Sequence, residues 1–180
     1  DRIEAIRKEV ETAVREGSTF IILSDKNISN QKASIPSILI VGAVHSYLVK
    51  HGLRGYCSLN VECSDALDTH SFAVLIGVGA TTVNPYLAID SIYQRFEKKL
   101  FGKSDFESCV VKFKKSIDAG LLKIMSKMGI SVISSYRGGC NFETVGLSRT
   151  VASEYFPGVL SKISGIGLNG IEKKLRTIHK

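Results

Sequence analysis

The chain has 180 residues, enough for one domain with a sizeable core, and its hydrophobic fraction of 44% and charged fraction of 23% are ordinary for a globular protein. No apolar run reaches the roughly eighteen residues of a membrane span, so the sequence predicts no membrane contact. The net charge of +7 would suit a nucleic acid, but the lysines are spread over segments with helical spacing, which favours solvated helix faces and disfavours a nucleic acid partner.

The first third of the chain alternates helical and strand patterns. Apolar residues at positions 3, 6, 10, 13 and 14 share one helical face, and Gly17 ends this helix. The sequence STFIILSD predicts a short buried strand. Pro36 then begins a second helix that Gly52 ends, and GYCSLNVECS predicts the second strand.

The remaining segments continue the alternation. Residues 69–79 are apolar almost throughout and fit either a buried helix or a strand, whereas 80–86 predict a strand that ends at Pro85. Helices are predicted over 87–102 and over 106–129, the second broken at Gly120. The last predicted elements are a strand over 129–136, short helices around 141–146 and 150–156, and a final helix over about 170–179.

Strands separated by helices predict an α/β fold with a mostly parallel sheet of about four or five strands and flanking helices. The sheet is expected to be open or to form part of a barrel, because this number of strands is too small for a closed eight-stranded barrel. We expect residues 1–180 to form a single domain. The chain lacks an initiator Met and opens directly on a helix, so we expect it to be a fragment of a longer protein.

Two cysteines and one histidine are candidates for metal binding. Cys57 and Cys63 would share one face of the second strand, but no C-x-x-C pair or H-E-x-x-H motif accompanies them. His45 lies in an apolar helix, where a hydrogen-bonded core histidine is the expected interpretation. The sequence therefore predicts no metal site, and the four cysteines are expected to be free, mostly buried thiols in a reducing, cytoplasmic setting.

Two glycine-containing motifs are candidates for anion binding. GIGLNG at 165–170 matches the dinucleotide pattern G-x-G-x-x-G, but no strand with an acidic residue follows it in the sequence, so a turn into the last helix is favoured. SYRGG places Arg137, Gly138 and Gly139 after a predicted parallel strand, where ligands commonly bind. Arg137 offers a guanidinium and the glycines offer backbone N–H groups, either for an anion or for an interdomain contact.

Several blocks of the sequence, in a fixed order, resemble the large subunit of glutamate synthase. The resemblance covers almost the whole chain and is carried by the blocks LSDK, IPSILIVGAVH, FAVLIGVGATTVNPYLA, KMGISVISSYRGGCNFETVGL and the final SKISGIGLNGIEKKLRTIHK. It places the chain in the later half of that enzyme's central domain, up to the start of its FMN-binding barrel.

The resemblance implies a noncatalytic connecting domain of an oxidoreductase that makes glutamate from glutamine and 2-oxoglutarate in ammonia assimilation. The other domains of the enzyme, a glutaminase and an FMN barrel, would be its partners, and the domain would help to form the ammonia path between them. FMN and an iron–sulfur cluster belong to the parent enzyme, and the resemblance assigns no catalytic or cofactor-binding residue to this chain. Removed from its partners, the chain is expected to self-associate.

Two alternatives stay open at this point. One is a small nucleotide- or anion-binding module that uses SYRGG or GIGLNG. The other is a basic nucleic-acid-binding protein, whose affinity would fall steeply with salt.

Overall fold

The computed structural model describes residues 2–179, and within them two small parallel sheets are surrounded by eight α-helices. The predicted α/β class is confirmed, and the strands described in residues 2–179 form no closed barrel. The helices are α1 Arg2–Arg15, α2 Ser37–Lys50, α3 Thr69–Gly77, α4 Tyr86–Glu97, α5 Phe106–Lys127, α6 Ile133–Tyr136, α7 Arg149–Tyr155 and α8 Leu168–Ile178. The strands are β1 Phe20–Ser24, β2 Ser58–Glu62, β3 Thr82–Asn84, β4 Glu143–Leu147 and β5 Leu160–Ile166.

The first sheet has the order β1-β2-β3, and all its strands are parallel. Helices α2 and α3 are the crossover connections, and with α1 they pack on one face of the sheet. Ile21, Leu59 and Val61 point into this core, which α2 fills with its own apolar residues. Because side chains alternate between the two faces of a strand, the same strands must present a second face elsewhere.

The second face of this sheet is uncovered. Phe20 and Ile22 of β1 are 75% and 67% exposed, so the prediction that this strand is buried holds for one face only. Their registered neighbours on β2 are Ser58 and Asn60, and Thr82 follows on β3. Parallel sheets in domains are usually covered on both faces. The uncovered face is therefore a surface on which another structural unit can pack.

The termini of the first helices follow the sequence signals. Pro36 precedes α2, and Gly17 and Gly52 adopt positive φ angles just after α1 and α2, as predicted. The ambiguous segment 69–79 forms α3. Asp68 caps this helix, because its carboxylate accepts hydrogen bonds from the backbone N–H and the hydroxyl of Ser71.

The predicted break in the fifth helix is wrong, since α5 runs without interruption through Gly120. The glycine serves a different purpose. A Cβ at this position would overlap the side chain of Thr69 at the start of α3. Gly120 therefore lets two helices approach closely, and the cost of a glycine inside a helix is offset by that packing.

Two other predictions are wrong after residue 128. The segment 129–136 is not a strand; it contains the short helix α6, which turns Tyr136 into the interior, where its hydroxyl donates a hydrogen bond to the Ala73 carbonyl. The segment around 141–146 is not a helix; it contains β4, which pairs in parallel with β5. In both cases contacts with residues distant in the sequence decide the backbone conformation, and they override the local preference for strand or helix.

The predicted helix over 150–156 is confirmed as α7, and it is anchored in the main core. Val151, Tyr155 and Phe156 are buried there. Arg7 of α1 donates to the Ala43 carbonyl and to Glu154, and its guanidinium lies 4.8 Å from the centre of the Tyr155 ring. The final helix α8 begins two residues earlier than predicted.

Candidate functional site

The predicted anion-binding turn lies against the carboxyl end of α3. Gly138 N–H donates to the Ile76 carbonyl at 3.1 Å, and Gly139 N–H donates to the Tyr136 carbonyl at 3.1 Å. Both glycine N–H groups are thus used within the chain. Contrary to the sequence-based expectation, they are not free donors, and Arg137 is left as the group of this turn that can hold an anion.

Gly138 also brings the turn into contact with His45 of α2. Its φ of +68° favours glycine, and a Cβ at this position would lie 2.9 Å from Cε1 and Nε2 of the imidazole. Any larger residue would push the turn away from the histidine. The close approach therefore sets the position of Arg137, the residue just before this glycine.

His45 is held by a second arginine. Arg54 donates from Nε to His45 Nδ1 at 3.0 Å, and its other nitrogens donate to the carbonyls of Cys57 and Gly79. Because Nδ1 accepts, the neutral ring carries its proton on Nε2. Burial, followed by the charge of Arg54, lowers the pKa of His45 to about 4. His45 is thus hydrogen-bonded, as the sequence predicts, but it is half-buried at the edge of the core and not fully inside it. It is uncharged at neutral pH.

Arg137 lacks the hydrogen bonds that Arg54 has. Its Nε is buried, and no group between residues 2 and 179 accepts a hydrogen bond from it. Both arginines are placed around His45, because Arg54 donates to its Nδ1 and Gly138, the residue after Arg137, packs against the same ring. Burial lowers the pKa of Arg54, and the charge of Arg137 lowers it further. Neither arginine takes part in an ion pair within the described part of the chain. The cluster of His45, Arg54 and Arg137 can therefore attract a negative group.

A second polar cluster, which sequence reasoning missed, lies at the carboxyl ends of β1 to β3. Glu62 accepts from Ser24 at 2.8 Å and from Asn84 at 3.2 Å, and it pairs with Lys26 at 2.7 Å. The hydrogen bond from Lys26 is the main cause of the lowered pKa of Glu62. The signal for this cluster was the polar residue that ends each strand, because such ends meet at one edge of a parallel sheet. Its members pair with one another, so it ties the three strand ends together.

The cysteines do not form a ligand set. Cys57 and Cys63 lie at opposite ends of β2 and are both buried, and all four cysteines are free, as predicted. Burial raises the pKa of the Cys63 thiol to about 11, which opposes the thiolate that a metal ligand must be. Between residues 2 and 179, His, Cys, Asp and Glu side chains form no group of three or more that could hold a metal ion.

The remaining motif, GIGLNG, connects the second sheet to α8. Strand β5 ends at Ile166, Gly167 caps the helix, and α8 begins at Leu168, which is the turn into the last helix that the sequence favours. None of the helices described in residues 2–179 has both the length and the apolar character needed to cross a bilayer.

Residues 2–179 thus form a mixed α/β fold with a parallel sheet open on one face and a cationic cluster that is not ion-paired within these residues. Residues 1–148 match the family model of the glutamate synthase central domain. The chain belongs to the glutamate synthase family and carries its central domain.

Similar full-length proteins extend the match to nearly the whole chain. The glutamate synthase [NADPH] large chains of Azospirillum brasilense and Bacillus subtilis are 57% and 42% identical over 99% and 96% of this chain. The glutamate synthase [NADH] of Schizosaccharomyces pombe is 38% identical over 99% of it. The chain spans only 12%, 11% and 8% of the lengths of these three relatives. It therefore corresponds to a small part of each of these relatives.

Proposed function

We propose that this chain is a noncatalytic connecting domain of a glutamate synthase. It would hold the glutaminase and FMN domains in a fixed position relative to each other. The observation that carries the proposal is the uncovered face of the first sheet. Exposure of the Phe20 and Ile22 side chains to water costs free energy, and a neighbouring domain that packed on them would remove both from water. By resemblance, the parent enzyme is an oxidoreductase of glutamate biosynthesis, and this domain helps to form the path that ammonia follows between the two active sites.

The cofactors of the parent, FMN and an iron–sulfur cluster, are proposed to reside in flanking domains. The residues of this chain do not fit a cluster, because Cys57 and Cys63 are separated by the full length of β2 and the pKa of the Cys63 thiol is raised. We place the enzyme in the cytoplasm, a compartment that keeps thiols reduced. The four free cysteines support this placement.

The proposal can be tested on a full-length enzyme that carries this domain. Phe20→Ser with Ile22→Thr should weaken packing on the sheet face and so loosen the coupling of the two active sites. We expect more free ammonia per glutamine hydrolysed than in the unaltered enzyme. Leu100→Ser, which changes an equally exposed apolar residue in the loop after α4, is the control. Unchanged coupling in a double variant that remains fully assembled would contradict the proposal.

The isolated chain offers a second measurement. Exposed apolar surface on the sheet should drive self-association, which sedimentation detects as a mass that rises with concentration. The Phe20→Ser, Ile22→Thr variant should associate at least about tenfold more weakly, because each lost side chain contributes roughly 1–2 kcal/mol when buried. A chain that stays monomeric at high concentration would count against the uncovered sheet face as a packing surface.

A further inference from the structure

The side chain of Arg137 is unusual in this fold because it is partly buried and yet unpaired. Its Nε is shielded from solvent and has no hydrogen-bond acceptor among residues 2–179. Buried donors of charged groups are nearly always satisfied, since an unpaired one loses its hydration and gains nothing in return. The partner that satisfies it is therefore expected to come from outside the described residues.

The surroundings of Arg137 favour an anionic partner. Arg54, on the other side of His45, donates within residues 2–179 to uncharged acceptors only, namely His45 Nδ1, the carbonyls of Cys57 and Gly79, and the hydroxyl of Thr81. His45 is neutral, so it adds no charge. Arg54 and the Arg137 turn thus contact opposite sides of the same imidazole, and neither arginine forms an ion pair within residues 2–179. A carboxylate that approached Arg137 would also feel the charge of Arg54.

The surface beside Arg137 indicates which source of carboxylate fits. Val132 and Ile133, at the start of α6, are 51% and 39% exposed, and Ser135 and Gly139 around the arginine are exposed as well. A small anion would leave this apolar rim in water. A protein surface would cover it, and an arginine surrounded by apolar residues is a common energetic centre of interfaces.

We propose that Arg137, supported by Arg54, pairs with an Asp or Glu side chain of a flanking domain of the same enzyme. This proposal rests on the proposed function, in which the chain packs between other domains. The α6 turn is then a docking point, and it is separate from the uncovered face of the first sheet. The close approach of Gly138 to His45 positions the backbone that carries the arginine.

The test compares Arg137→Gln in two settings. In the isolated chain the substitution removes an unpaired charge, so the melting temperature should stay the same or rise. In the full-length enzyme it leaves the partner carboxylate unpaired, so amide exchange at residues 132–141 should accelerate at least tenfold. Ser135→Ala, in the same turn, is the matched control and should change neither quantity. Full-length exchange that is unchanged in Arg137→Gln would overturn the proposal.

Small anions provide the remaining comparison. The isolated chain would be titrated with acetate and with inorganic phosphate, and the histidine and arginine side-chain NMR signals followed. Only weak, non-saturating shifts are expected. Saturable binding that Arg137→Gln abolishes would overturn the interdomain pair in favour of a small-anion site. If exchange is unaffected by Arg137→Gln but coupling is lost in the Phe20→Ser, Ile22→Thr variant, this inference fails while the proposed function stands.

Discussion

Replacing Phe156 by Ala should destabilise the whole chain, although this residue lies beyond residue 148, where the match to the family model ends. The ring is only 6% exposed and belongs to the same core as α1, α2 and β2. It rests directly on the backbone of α2, because a Cβ at Gly42 would overlap it. We therefore expect residues 2–156 to unfold as one cooperative unit.

The magnitude follows from the burial of the ring. Truncation to Ala removes roughly 100 Å² of buried apolar surface, which corresponds to about 2.5 kcal/mol of transfer free energy. The cavity beside α2 adds about 1–2 kcal/mol, since α2 is a long, regular helix that cannot collapse into the space. The expected loss in the free energy of unfolding is thus about 4 kcal/mol.

Urea unfolding followed by far-UV circular dichroism measures this loss. Ile163→Ala, at an exposed position of β5, is the control and should cost less than about 0.5 kcal/mol. A loss of less than about 1 kcal/mol in Phe156→Ala would refute the packing of this ring in the common core. Unfolding in two transitions, with the first helices unaffected by the substitution, would refute it as well.

Three further predictions concern His45, Cys63 and Gly120, which all pack against other parts of the fold. The depressed pKa of His45, about 4, means that the unfolded chain binds more protons than the folded chain between about pH 6.5 and 4. The free energy of unfolding should therefore fall by about 1–3 kcal/mol as the pH is lowered through this window. Urea unfolding at several pH values should show that this free energy depends less on pH in His45→Gln than in the unaltered chain. An equal dependence on pH in both chains would contradict the prediction. Iodoacetamide at pH 8 should label Cys63 roughly a hundredfold more slowly in the native chain than in urea, because the raised pKa of the Cys63 thiol leaves little thiolate. Similar labelling rates in both conditions would contradict the burial of this thiol in the native chain. Gly120→Ala should lower the free energy of unfolding by about 1–3 kcal/mol, because the added Cβ overlaps the side chain of Thr69. Adding Thr69→Ala should restore most of this loss by removing the overlap. A double variant as unstable as the single one would refute the contact between these two residues.

The local signals of the sequence were sufficient for the first part of the fold. Pro36 and Gly52 delimit α2 because both act through backbone geometry that needs no partner. The same is true of the helical apolar face of α1. By contrast, the β-branched residues of 129–136 predicted a strand, whereas the structure has α6 there. The chain turns at this point because Tyr136 is buried and its hydroxyl donates a hydrogen bond to the Ala73 carbonyl.

The candidate site was predicted only in part. SYRGG identified Arg137 as a donor, but the sequence could not show that both glycine N–H groups are used internally or that His45 and Arg54 stand behind the turn. Arg54 has no local feature that distinguishes it from other surface arginines. Its position depends on acceptors from Cys57, Gly79 and Thr81, which come together only when β2 and β3 pair.

The sequence by itself determined the α/β class, the ends of the early helices and, through ordered blocks of similar residues, the family. These properties depend on periodicity, on backbone preferences and on identity along the chain. Tertiary structure alone decided which faces of the sheet are covered, which helix Gly120 approaches and which guanidinium stays unpaired. Each of these depends on residues far apart in the chain, and neither local propensity nor spacing carries information about the atoms that will surround a side chain once the chain has folded.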